Sequence, residues 1–443
     1  MVFFSSQIRS YPLIVTDHGM SNDARVLSNS RRVAWTRWVM LLIFGAFICV
    51  GLGYKLRRRN TPALPQLPPV VTVLDRQHAR EAFELKYGRS PDRNDLLSFL
   101  AEFYLSRGRL ADAVECFHEI PTSHSAYGPM ARFQQGRTLL KLHRAVEAEP
   151  QFRELIAHEE KSLTIAPNYL VDARQRLRFI LEVELRLEER KQLLAGVIER
   201  GEANHFETIV FCFPSHLRWN GNAAVKWLEE FHAADPTARS LNIALGRYRT
   251  GQGKLDEART LLEPIVKNFP EDRRALAALI ACLQESDESA EADRLIEGLP
   301  LQSASDPWLL LLQRGGHALR RGLTDKAAKA YDELLAQDRT NTEAWQKTAM
   351  IGRIQNDETK RKRAIDVATG LSRIQNHIGK GIQRPEDPNS FLDIADLCAE
   401  IEFDAEGLIL TKFAEKLSPE NPRAMAAIKL FQSRMSAVSD RTK

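Results

Sequence analysis

Three groups of residues in this chain of 443 have the types that chemistry needs. Cys116, His118 and His124 carry metal-binding atoms close together. A cysteine and a histidine two positions apart point in different directions on a helix. A structural zinc site takes four ligands, and its cysteines usually come in pairs. No CxxC occurs, so no metal is expected. Glu184, His205, Glu207 and His216 offer carboxylates and imidazoles for acid–base work. No H-E-x-x-H or G-x-S-x-G pattern orders them. They define a rival, enzymatic reading of residues 168–222. Residues 251–254 read GQGK, without the first-glycine spacing or the Ser/Thr after Lys of a phosphate-binding loop. They are better read as a turn, and no cofactor is expected.

Composition narrows the field further. The formal net charge is +4, from 62 Lys and Arg against 58 Asp and Glu. That balance gives no reason to expect nucleic acid, although residues 360–363 (KRKR) form a basic run of the kind a solvated helix face carries. Cys49, Cys116, Cys212, Cys282 and Cys398 are scattered and odd in number, which is no disulfide framework. Free cysteine is among the most buried residue types, so core packing is expected for them.

The elements that would position any site follow from a period. Gly246, Ile280 and Gly315 recur at a spacing of 34 residues, with one extra residue before the third. Ala258, Ala292 and Ala327 follow twelve residues later in each copy. In residues 239–272, Leu241, Leu245 and Gly246 belong to a first helix and Gly251 and Gly253 to a turn. Leu255, Ala258, Leu262 and Ile265 belong to a second helix, and Pro270 ends the unit. Positions 258, 262 and 265 share one helical face. The small residues at 246 and 258 let the two helices approach closely. Further units carry Leu276, Leu279, Leu283 and Ile296, then Leu311, Ala318, Gly322, Tyr331 and Leu334, and then Trp345 and Ala349. Near the N-terminus, Leu97, Leu100, Ala101, Tyr104, Gly108, Ala113 and Phe117 make another, with Ser90 and Pro91 as a helix start. Gly136, Leu139, Ala148 and Phe152 make a weaker one, and Phe391, Ala395, Cys398, Gly407 and Pro419 a last one. Residues 422–435 read as a closing helix.

This spacing resembles the tetratricopeptide repeat, a helix-turn-helix unit of about 34 residues. The resemblance covers most of residues 91–435. It implies an all-α solenoid whose work is holding other proteins. Residues 168–222 are degenerate: 168–201 lack small residues in register, and 205–222 read as an irregular aromatic segment around Phe206, Phe211, Phe213, Pro214 and Trp219. Residues 360–385 are out of phase, as a lengthened second helix and loop.

Residues 38–54 contain no charged group. As a helix they span about 25 Å, short of the usual ~30 Å hydrocarbon core, but Arg37 and Lys55 can extend them. Trp35, Trp38 and Tyr54 stand where interfacial aromatics belong. Basic residues 55–59 follow, with no small-residue cleavage site, so the segment reads as an uncleaved transmembrane signal anchor over 34–54. A basic tail (1–33) precedes it, with Met20 a second candidate start. A basic and proline-rich linker with a leading helix (55–90) follows, and 436–443 read as a disordered tail. Basic residues nearly balance across the anchor. A first anchor ahead of a long domain places the repeats across the membrane, as in a bacterial inner-membrane protein.

What the resemblance implies about a site comes from the first helix of each unit, which lines the groove. Those offsets select Phe133, Arg137, Ile243, Arg247, Leu312, Leu319, Met350 and Arg353, a mix of apolar and cationic groups that suits a peptide or helix with acidic and apolar positions. The peptide-carboxylate clamp of the family is not expected. Ser98 and Glu102, and likewise Ile243 and Arg247, stand where its first two Lys/Arg and Asn positions fall. The expected function is a membrane-anchored scaffold for protein–protein interaction in envelope complex assembly, export or quality control. A self-associating envelope spacer is the structural alternative.

Overall fold

The computed structural model describes residues 73–125, 127–162, 167–215, 221–286, 288–299 and 306–441. The expected anchor, tail and linker at 1–72, and His216, lie outside them. Among the described residues there are twenty α-helices and no strand. No helix among them is long and apolar enough to cross a membrane. The chain divides into two compact units, residues 1–127 and 128–443.

In the first unit, α1 (Val73–Tyr87) packs on α2 (Arg93–Ser106), which pairs with α3 (Leu110–His118). The N-cap of α2 is Asp92 rather than Ser90. Its carboxylate accepts from the Asp95 N–H at 2.7 Å, and Asp95 accepts from the Asp92 N–H at 3.1 Å. This reciprocal capping box satisfies two of the helix's orphan donors, which the Ser90 hydroxyl is too far upstream to do. Asp95 is buried, held by both Arg89 nitrogens at 2.5 and 2.8 Å and by the Tyr127 hydroxyl at 2.5 Å.

The second unit opens with α4 (Gly128–Lys141) and α5 (Ala145–Ser162), then α6 (Pro167–Val183) and α7 (Leu187–Glu199), the short α8 (His205–Cys212) and α9 (Gly221–Ala234). Hairpins follow as α10 (Arg239–Gly251) with α11 (Leu255–Asn268), α12 (Arg273–Glu285) with α13 (Ser289–Glu297), and α14 (Trp308–Arg320) with α15 (Thr324–Gln337). Then come α16 (Thr342–Ile354) with α17 (Glu358–Gln383), and α18 (Pro388–Glu400) with α19 (Asp404–Leu417). The closing helix is α20 (Pro422–Arg441).

Two local devices recur in the hairpins. The first is a close approach across sixteen residues. A Cβ at Gly246 would lie 2.6 Å from Leu262, one at Gly315 2.6 Å from Tyr331, and one at Gly136 2.8 Å from Phe152. The large partner fills the space the small residue leaves. The second device is a left-handed residue in the turn seven positions later. It is Gly108 (φ 73°), Gly253 (73°) and Gly322 (70°) in three hairpins, but His143 (60°), Leu185 (54°), Asn356 (54°) and Glu402 (58°) in four others. All but Glu402, which has only the second, close their helix with the same pair of bonds: in α6–α7 the Leu185 N–H donates to Glu182 O and Arg186 N–H to Leu181 O. In α10–α11 the Gly253 N–H donates to Thr250 O and Lys254 N–H to Arg249 O.

These devices correct the reading of the middle. Residues 167–199 form a complete hairpin with the common turn. The exception is residue type: seven positions before Leu185 stands Arg178, where the six other left-handed turns inside hairpins (at 108, 143, 253, 322, 356 and 402) have Ala or Gly. The Arg178 guanidinium turns outward over the Phe206 ring, 4.9 Å from its centroid, at the start of α8. Residues 205–212, expected to be irregular, form a capped helix. The Asn204 side chain accepts from the Glu207 N–H at 2.9 Å, and Glu207 accepts from the Asn204 N–H at 3.0 Å. Helix α8 packs on α7, α17 and α19, while α9 packs on α6 and α10.

Candidate functional site

The eight residues selected for the groove all lie on first helices of hairpins, but their surroundings differ. Phe133 and Ile243 are buried. The Phe133 ring stands 5.0 Å from that of Tyr169. Ile243 belongs to the core shared by α10–α14. Arg137 is half-buried. Leu312 and Leu319 are half-buried against one cluster that includes Ala344 and Ile351 of α16. Met350 and Arg353 are exposed, and so is Ile354, one turn from Met350 and absent from the selection. The sequence signal for Ile354 was its place at i+4 from Met350 on the same helix.

Arg247 has an intramolecular task. It donates to the carbonyl of Leu185 at 3.2 Å and lies over the Trp308 ring, 5.5 Å from its centroid. Trp308 is fixed in turn by the start of α14, where buried Asp306 pairs with Arg273 and with Arg314 at 3.1 Å.

Leu185 belongs to a segment that runs against the later hairpins. Lys191 on α7 donates to Gln337 O at 3.1 Å, and the Ser215 hydroxyl donates to Asp338. Together Leu187, Glu188, Lys191, Pro214, Trp308 and Asp338 line a shallow cleft between α7, the 214–215 turn, and the ends of α14 and α15. Farther along, Lys416 donates to Gly201 O at 2.9 Å. Ile209, Cys212 and Phe213 are buried in the core of α17–α20 beside Ile378, Phe391 and Leu410.

Charge holds this segment in place. Arg186 bridges Glu149 on α5 at 2.6 Å, Glu189 on α7 at 2.6 Å and Glu184 at 3.2 Å. Arg190, 1% exposed, donates to Pro214 O at 3.1 Å and stands 3.8 Å from Glu182. Glu182 also meets Arg178 at 3.2 Å. Burial pushes the carboxyls of Glu182 and Glu184 upward against the pull of these arginines. Burial likewise pushes the Arg190 guanidinium downward. Ionic pairs this dry are expensive to desolvate and serve to fix one arrangement.

The enzymatic candidates are placed by these same contacts. Glu207 is spent on the α8 cap, and Glu184 on Arg186. Burial lowers the His205 imidazole below its ordinary range. Among the described residues no three His, Cys, Asp or Glu side chains converge as metal ligands. Cys116, Cys212, Cys282 and Cys398 are buried, as expected from the sequence for core cysteines.

Stacked hairpins with a shared close approach and a shared turn define an α-helical repeat protein. Residues 249–315, from the end of α10 into α14, match the tetratricopeptide repeat family. The same devices recur in hairpins outside that stretch. Among solved structures, the chain is similar to the APC/C hetero-tetramer Cut9–Hcn1, at 13% identity and a TM-score of 0.33, over 81% of this chain and 82% of that one. It is also similar to YrrB, described as a TPR protein with an unusual peptide-binding site, at 12% identity and a TM-score of 0.26, over 46% of this chain and 97% of that one. A tetratricopeptide repeat protein from Parabacteroides merdae is similar at 12% identity and a TM-score of 0.20, over 77% of this chain and 99% of that one. No curated protein matches the chain.

Proposed function

We propose that this chain is a scaffold that holds a protein or peptide partner on the first-helix faces of its later hairpins. The observation that carries this reading is the exposed pair Met350 and Ile354 beside exposed Arg353 on α16. Half-buried Leu312 and Leu319 of α14 pack on the same cluster as Ile351 of α16. An apolar face edged by a cation fits a partner segment with apolar and acidic side chains. Residues 38–54 tether the scaffold to a membrane, in this reading a bacterial inner membrane with the repeats translocated. The work would lie in envelope complex assembly, export or quality control. The charge-free run and its flanking basic and aromatic residues support the tether.

The test is affinity capture from native membranes with the full chain in detergent. A second bait carries Met350→Asp and Arg353→Glu, exposed positions that leave the core intact. A partner retained by the first bait and lost by the second supports the scaffold. Recovery of the chain alone from both moves weight to the self-associating spacer. Carbonate extraction of the full chain beside a chain starting at residue 60 tests the tether separately, and release of both into the soluble fraction removes it.

A further inference from the structure

Helical repeat stacks ordinarily touch only their neighbours, so their stability is a sum of adjacent terms. Among the described residues, this chain departs from that rule most deeply at α8. Helix α8 leaves the succession of hairpins and seats Ile209, Cys212 and Phe213 in the core of α17–α20. Ile209 and Cys212 stand at i and i+3 on one face of the short helix, and Phe213 is its C-cap. Gly381 on α17 makes room for this face: a Cβ there would lie 3.3 Å from Ile209. The Cys212 thiol faces Glu406 O at 3.9 Å, across 194 residues of sequence. Polar ties flank the helix on both sides, from Lys416 to Gly201 O before it and from Ser215 to Asp338 after it. A third tie joins Lys191 to Gln337 O across 146 residues.

We propose that residues 201–215 are an intramolecular clasp that makes α8, α17, α18 and α19 open and close as one unit, separate in stability from the hairpins α10–α13 between them in sequence. The length of α17 belongs to the same device. Its last turns, with Ile374, Ile378 and Gly381, stand beyond the length of an ordinary second helix and supply the floor on which α8 rests.

Hydrogen exchange on the full chain tests the clasp, with Ile209→Ala against the control Leu262→Ala. Leu262 sits in the separate core of α10–α14. The expected result is that Ile209→Ala speeds exchange at least tenfold in α8 and, by a similar factor, in the second half of α17 and in α19. Amides of α11–α13 stay at their wild-type rates. Leu262→Ala should do the reverse. Faster exchange confined to α8, with α17 and α19 unmoved, overturns the proposal. Where Ile209→Ala fails to fold, Lys191→Met with Lys416→Met and Ser215→Ala removes the three polar ties and leaves the core whole. A joint rise in α8 and α19 then supports the clasp, and the absence of any joint change overturns it.

Discussion

The α-carbon of Gly315 lies under the phenol ring of Tyr331, so that a Cβ on the glycine would stand 2.6 Å from ring atom Cζ. The ring is fully buried and has nowhere to retreat. Gly315→Ala should therefore cost about 1–3 kcal/mol in urea unfolding, although alanine is the better helix former. Gly315→Ala with Tyr331→Leu should recover part of the loss. Gly251→Ala is the contrast, since a Cβ there meets nothing within 4 Å. It should gain up to about 1 kcal/mol.

Glu402 holds a left-handed conformation, φ 58°, with an exposed side chain paired to Arg363 at 2.9 Å. A non-glycine residue there costs roughly 1–2 kcal/mol, and an exposed ion pair returns about 0–1. Glu402→Gly should raise stability by about 0.5–1 kcal/mol, measured as a shift of the urea midpoint at constant slope.

Arg190 and Glu182 form a dry pair in which each leaves the other exposed to loss. Arg190→Ala should cost about 3–5 kcal/mol, because Glu182 keeps only Arg178 and Pro214 O loses its donor. Arg190→Met with Glu182→Leu should come back close to wild type, since apolar groups of similar volume replace the pair. A double-mutant cycle on unfolding free energies reads both.

Hydrogen bonds from Arg89 and Tyr127, opposed by burial, hold the Asp95 carboxyl well below its ordinary value of 3.8. The sign follows from linkage: an acid whose folded pKa is depressed lends stability above its unfolded pKa and loses it as pH falls toward the folded one. The first unit should weaken progressively below about pH 4. Asp95→Asn should flatten that part of the pH profile, monitored by exchange of α2 amides.

Residue types carried much of the hairpin stack. Gly246, Gly315 and Gly136 with their large partners sixteen residues on announce helices in close contact, and nothing else satisfies both sizes at once. The turns were only partly legible. Gly253 advertises a left-handed backbone, whereas His143, Leu185 and Glu402 adopt it because the surrounding helices over-determine the turn. The hairpin at 167–199 was hidden by Arg178, a large cation at a position usually kept small. Its nearer counter-charge, Glu182, stands one turn on at 3.2 Å, but a second, Glu207 at 3.9 Å, lies in the next element, where spacing along the helix gives no hint of it. The same limit applies to the candidate groove. Spacing places Ile243 and Leu312 at like positions of their helices, ten residues before Gly253 and Gly322, yet how far each is covered depends on neighbours that a repeat pattern does not rank. The destination of Ile209 and Phe213 was illegible for a simpler reason, since their partners lie more than a hundred residues away.

The clasp also bears on how the polypeptide emerges from the ribosome. Cys212 waits for Glu406, 194 residues downstream, which at ~5–20 residues per second is a delay of roughly 10–40 s. Until α17 and α18 emerge, Ile209, Cys212 and Phe213 lack the apolar partners that bury them in the folded chain, while the hairpins made in between can close on their own neighbours. The newborn chain thus carries a timed vulnerability at its centre, and translation speed between residues 213 and 406 becomes a variable in its yield.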